Sequence, residues 1–248
     1  MTTVLDTPTL GFDVETTGLD KFTERIVTAA LVGPDSEKTW LINPEYRIDP
    51  GASAVHGITD EKVQAEGAKA SEALEEIISL IADHVSQGFL LVGYNIIYDL
   101  TILEHEARRH GLVPLSQRVE LNTVADPYII DKALNKYRKG KRTLDRLAEV
   151  FNLELDAHDA SSDARVAVLV LRKLVEQSID ENKSIDVDPK LLHSWCVKWS
   201  RQQAMSFADY LRTRPVNRVE NPTVPSGWPI EDQASGKEEE DFNDWNQQ

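Results

Sequence analysis

The chain is predicted to fold as an α/β domain on a mixed sheet of about five strands with helices on both faces, and three features lead there. Three strand-like apolar runs crowd the beginning of the chain, separated only by turns. A later unbroken run, Phe89-Leu90-Leu91-Val92-Gly93-Tyr94, suits a strand covered on both faces. Helical periodicities alternate with the later strands and continue after the last of them.

In chain order, the first strand carries Leu10-Gly11-Phe12-Asp13-Val14-Glu15 and ends in a turn closed by Gly18. Ile26–Val32 reads as a buried strand, the Gly33-Pro34-Asp35 turn follows, and residues 38–42 pair back as a hairpin. Thr59 is placed to cap a helical segment holding Lys62 and Val63. Residues 71–85 repeat apolar side chains at three- and four-residue spacings, with Ser71 and Glu75 approximating a capping box. The strand at 89–94 delivers Asn95, and a helix over 98–110 follows at once, with Asp99 in its first turn. Residues 119–125 form the last strand. A helical stretch at 128–134, a helix capped by Thr143 and a long helix to about residue 177 complete the domain; Asp159, Ser161 or Ser162 caps the last of these.

Residues 1–180 thus form one domain and 181–214 a helical extension that Asp188-Pro189 opens. The extension carries an apolar stripe of Leu192, Trp195, Trp199, Phe207 and Tyr210, which packs back on the domain or against a partner. Residues 215–248 are rich in Pro, Asn and acids and read as a disordered tail, either a docking peptide or a solubilising end.

A hydrophobic content of 41% and a charged content of 28% are ordinary for a globular protein. No apolar run is long enough to span a bilayer and no signal pattern opens the chain, so a cytoplasmic location is expected. Cys196 is the only cysteine, which excludes an internal disulfide or a multi-thiolate zinc site. A net charge of −15 argues against a protein that simply coats DNA phosphates.

Strand alternation puts Asp13 and Glu15 on one side and Phe12 and Val14 on the other. Two carboxylates so placed repel unless a cation lies between them, and hard divalent ions suit their oxygens. The plainer alternative is a pair of solvated acids on an edge strand. Two further stretches bear on the choice: Asn95-Ile96-Ile97-Tyr98-Asp99 and His158-Asp159-Ala160-Ser161-Ser162-Asp163. Taken in order, the three stretches resemble the three motifs of the DnaQ-like, DEDDh family of 3′→5′ exonucleases. The resemblance covers roughly the first 180 residues.

That resemblance implies a ribonuclease-H-like architecture and hydrolysis with two Mg²⁺ or Mn²⁺ ions. It implies Asp13, Glu15, Asp99, Asp163 and His158 as catalytic residues. The four acids hold the metals, with Asp13 bridging both, Glu15 and Asp163 completing one and Asp99 supporting the other; His158 is the general base. It also implies that Thr16, Thr17, Gly18, Leu19, His56, Asn95 and Tyr98 shape the substrate cleft, with Thr16 and Thr17 at the terminal 3′ hydroxyl and Leu19 against the terminal base. His56 lies in a His-Gly-Ile-Thr run common in the family, though a satisfied loop histidine is the other reading. Tyr98 stands where the family usually has Phe, and Tyr94 where it more often has His.

The implied substrate is a single-stranded nucleic-acid 3′ end, DNA ahead of RNA, in proofreading or repair, with a DNA polymerase or other replication protein as a possible partner. A 3′→5′ exoribonuclease and a non-catalytic nucleic-acid-binding module are the alternatives. Lys136-Tyr137-Arg138-Lys139-Gly140-Lys141-Arg142 is either a solvated loop balancing nearby acids or a phosphate-contacting rim.

Overall fold

The computed structural model describes residues 2–156, 159–214, 219–220, 222, 224–225 and 227–231. Strands β1 (Thr9–Thr16), β2 (Ile26–Val32) and β3 (Glu37–Asn43) form an antiparallel meander, as expected. The β2–β3 turn is closed by the Gly33 amide donating to the Ser36 carbonyl at 2.7 Å. Two short helices follow, α1 (Pro50–His56) and α2 (Asp60–Glu66), then the two-residue strand β4 (Ala68–Lys69) beside β3. Helix α3 (Ala70–Ser86) leads to β5 (Leu90–Val92), which lies parallel to β1, and helix α4 (Ile97–Arg109) follows. Beyond the short α5 (Leu115–Arg118), β6 (Val124–Ala125) completes a sheet of order β4-β3-β2-β1-β5-β6. Four helices remain: α6 (Pro127–Leu134), α7 (Leu144–Val150), α8 (Ala160–Asp180) and α9 (Pro189–Thr213).

The sheet has six strands rather than about five because β4 adds a two-residue edge. The last strand shrinks from the expected 119–125 to two residues because β5, its only partner, spans just three and offers two register positions. Ser71 does not cap α3: the chain passes from β4 straight into the helix at Ala70, and Lys69 precedes it without a side-chain cap. Thr59 and Asp188 do cap their helices, through the amides of Lys62 and Lys190.

Phe12 and Val14 turn into the core, which also takes Leu74, Ile77, Ile78 and Ile81 from α3 and Leu100 and Leu103 from α4. Each wholly buried Ile or Leu there contributes about 1.5–3 kcal/mol. Helix α8 packs on the face that Gly11, Asp13 and Glu15 present. The C-terminal helix α9 closes the free edge of the sheet: the Val124 amide donates to His193 Nδ1 at 3.2 Å, and Leu192 and Cys196 are buried. Within the span read as an acidic tail, Trp228 is buried beside His193, and the Glu231 amide donates to Thr101 Oγ1 at 2.9 Å.

Candidate active site

The site forms where the C-terminal end of β1 meets the first turns of α4 and α8. Asp13 and Glu15 sit opposite Ala30 and Thr28 of β2, and the ladder slips just after Glu15, where the chain leaves the sheet. Small neighbours let the helices close in. A Cβ on Gly11 would stand 2.6 Å from the Ala164 carbonyl, so only glycine there lets α8 lie against β1 and bring Asp163 to the strand. Asp159 starts α8 by accepting from the Ser162 amide at 2.9 Å, which puts Asp163 in the first turn.

As a result, one carboxylate oxygen from each of Asp13, Glu15 and Asp163 lies within 4.8 Å of the other two. Asp99 reaches the same strand from α4 and accepts from the Val14 amide at 3.2 Å. Burial and the facing carboxylates of Asp99, Asp163 and Glu15 hold the Asp13 carboxyl well above the usual carboxylate range. Burial, then Asp163 and Asp159, push Glu15 up to about 7. Asp99 is also held high, mainly by burial, although two backbone amides oppose that shift. A group of hard oxygen donors that resist ionising together is chemically suited to a divalent cation, which would relieve their repulsion.

The turn after β1 is fastened from several sides. Thr16 Oγ1 donates to the Gly18 carbonyl at 2.7 Å, and the Tyr98 hydroxyl lies 2.9 Å from the former and 2.8 Å from the latter. Burial pushes the Tyr98 hydroxyl up to about 12, so it stays a donor at neutral pH. The phenylalanine usual in the motif could not tie this turn to α4.

The Thr17 side chain is wholly buried: its hydroxyl donates to Glu24 at 2.6 Å and accepts from the Arg25 amide at 2.9 Å. Leu19, held just beyond, is 96% exposed. His56 ends α1. Its Nδ1 accepts from the Ile58 amide at 3.1 Å, which leaves the proton on Nε2, 3.3 Å from the Thr16 carbonyl. Asn95 is exposed, adopts φ 60°, and donates its amide to Asp126 at 3.0 Å.

His158 lies outside the described residues. Asp126 is a residue that sequence reading passed over. It is fully buried, caps α6 through the Tyr128 amide at 2.9 Å, and holds the loop that launches α4; burial pushes it up to about 7. The available signal was Asp126-Pro127, a cap followed by proline at the first helical position.

A family model described as "RNase_T: Exonuclease" matches residues 10–171, a span holding all the acids above. The chain is 29% identical over 198 residues to a PolC-type DNA polymerase III of Caldanaerobacter subterraneus, an alignment covering 73% of this chain and 13% of that protein. It is 28% identical over 177 residues to the DNA polymerase III subunit epsilon of Treponema pallidum, covering 69% of this chain and 78% of that one. Among solved structures, E. coli Exonuclease I in complex with a dT13 oligonucleotide superposes with a TM-score of 0.61 at 20% identity, over 71% of this chain and 42% of that one. The fold shared with it is ribonuclease-H-like. No helix among the described residues is long and apolar enough to cross a membrane.

Proposed function

The chain belongs to the RNase_T exonuclease family, and on that footing we propose that it is a metal-dependent 3′→5′ exonuclease releasing nucleoside 5′-monophosphates from DNA 3′ ends in proofreading or repair. The observation that carries the proposal is the convergence of Asp13, Glu15 and Asp163 within 4.8 Å, with Asp99 beside them on the Val14 amide.

These carboxylates fit divalent ions such as Mg²⁺ or Mn²⁺, which Asp13, Glu15 and Asp163 would hold together with Asp99 beside them. Ions bound there supply a water of lowered pKa and neutralise charge on the leaving 3′ oxygen. The protein's own part is to hold the strand end and to move a proton. His158, five residues ahead of Asp163, is assigned as the base that takes the proton from the attacking water, since an imidazole is the side chain suited to accept a proton at neutral pH. The braced turn at Thr16–Gly18 holds the terminal sugar, and exposed Leu19 packs on the terminal base. His56 steadies this turn through the Thr16 carbonyl.

DNA is preferred as substrate because Exonuclease I was solved with an oligodeoxynucleotide and the sequence relatives are a PolC-type DNA polymerase III and a DNA polymerase III subunit epsilon. Those relatives also support a DNA polymerase as partner; a cytoplasmic location belongs to the same proposal. Digestion of matched single-stranded DNA and RNA tests the substrate. The DNA should shorten from its 3′ end at least tenfold faster; faster loss of RNA would make the chain an exoribonuclease, and loss of neither would leave a binding module.

A further inference from the structure

Residues 136–142 hold five basic side chains, and the structure divides four of them by role. Arg138 and Arg142 turn inward onto Asp131, whose side chain has no exposure; Arg138 lies 2.7 Å from one carboxylate oxygen and Arg142 bonds the other. Arg142 also donates to the Asn135 carbonyl at 2.6 Å, and its own carbonyl accepts the Tyr94 hydroxyl at 2.6 Å. Both guanidinium groups are ion-paired to Asp131 within the protein, and Arg138 Nε is buried. Lys139 and Lys141 flank Gly140, whose φ of 93° makes the tip of the loop; both are exposed, and neither has an ion-pair partner among the described residues.

The lysines line a cavity of about 740 Å³ that also takes in Arg138, held on Asp131, together with Thr143, Asp145, Arg146, Glu149 and Asp163. Arg146 is paired with Glu149 at 2.6 Å, so the unpaired positive charge in this concavity comes from Lys139 and Lys141. Because Asp163 belongs to the acid cluster, the same concavity joins the loop tip to the proposed reaction centre. A strand whose last phosphodiester lies at the cluster needs cations for the phosphates that precede it. In a protein of net charge −15, those cations must be local.

Building on the exonuclease reading, we propose that Lys139 and Lys141 bind backbone phosphates of the strand on the 5′ side of the scissile bond. Arg138 and Arg142 do not contact the strand and serve to fix the loop that presents the lysines.

The test is fluorescence anisotropy of a labelled single-stranded oligodeoxythymidylate with the full chain in chelator, across a salt series, so that no turnover intervenes. Each phosphate contact on a single strand contributes about 0.7 to the log–log salt slope. The double variant K139Q/K141Q should therefore lose about 1.4 from the slope, which is roughly a 25-fold loss of affinity at 0.1 M salt. Arg138→Gln should lower the melting temperature and leave the slope within about 0.2 of wild type. In Mg²⁺ the lysine variant should show a raised KM at an unchanged kcat. A wild-type slope in K139Q/K141Q, or an equal loss of slope in Arg138→Gln, would overturn the division. If the wild-type chain released no nucleotide, only the hydrolysis reading would fall, because the slopes are measured without catalysis.

Discussion

Replacing Asp163 with Asn should stabilise the metal-free protein at pH 8 and do little at pH 4.5. Glu15 moves from an ordinary 4.5 to about 7 in the folded chain, with Asp163 the largest electrostatic cause after burial. Its folded pKa is raised, so the favourable contribution is complete below pH 4.5, where both states are protonated. It is lost as pH climbs toward 7, because the unfolded chain ionises first. Asp13 and Asp99 shift in the same direction.

Raising Glu15 from 4.5 to about 7 corresponds to roughly 3.4 kcal/mol, a ceiling because solvent reaches its side chain and screens the repulsion. Removing the Asp163 charge should recover about 1–2 kcal/mol of this, or a rise of some 2–8 °C in melting temperature for a chain of this size. Thermal denaturation of wild type and Asp163→Asn in chelator, from pH 4.5 to 8, reads the difference directly. The two curves should converge in acid and separate above pH 6, and added Mg²⁺ should stabilise wild type far more than the variant. A destabilised Asp163→Asn at pH 8, or an offset independent of pH, would refute the reasoning.

Other perturbations probe the parts that assemble the site. Gly11→Ala forces a methyl group to within 2.6 Å of the Ala164 carbonyl, so α8 must move; urea denaturation should show a loss of about 1–3 kcal/mol, and calorimetry a weakened affinity for Mn²⁺. Tyr98→Phe removes the hydroxyl tie to Thr16 and Gly18 and should cost about 0.5–1.5 kcal/mol of stability, with KM for DNA rising more than kcat falls in steady-state assays. His158→Ala should slow nucleotide release by about 10²–10⁴-fold while its circular dichroism melt overlays wild type.

Much of the acid-bearing strand is legible in the sequence because its chemistry is at odds with its setting. Asp13 and Glu15 interrupt an otherwise apolar strand, and Asp99 and Asp163 occupy first turns of helices that an apolar stripe makes visible. Helix α1 has no such stripe: none of its residues is buried, and only Asp49-Pro50 marked its start. Asp49, Asp126 and Asp188 each precede a proline and each caps a helix, yet only the last was read that way. The edge strand β4 goes unannounced and β6 is shorter than its apolar run because both lengths are set by the strands they pair with. The roles of Thr17 and of the two loop arginines depend on Glu24 and Asp131, partners that sequence spacing does not identify. Likewise, nothing in the polar run around Trp228 reveals that this ring packs beside His193.

The most direct measurement follows a single DNA strand labelled at its 5′ end as chelator and then excess Mg²⁺ are added during digestion. If the clustered carboxylates act by holding cations at the strand's 3′ end, the labelled product should shorten one nucleotide at a time, halt in chelator and resume with Mg²⁺. Shortening that continues through chelation, or labelled mononucleotide as the first product, would contradict that assignment.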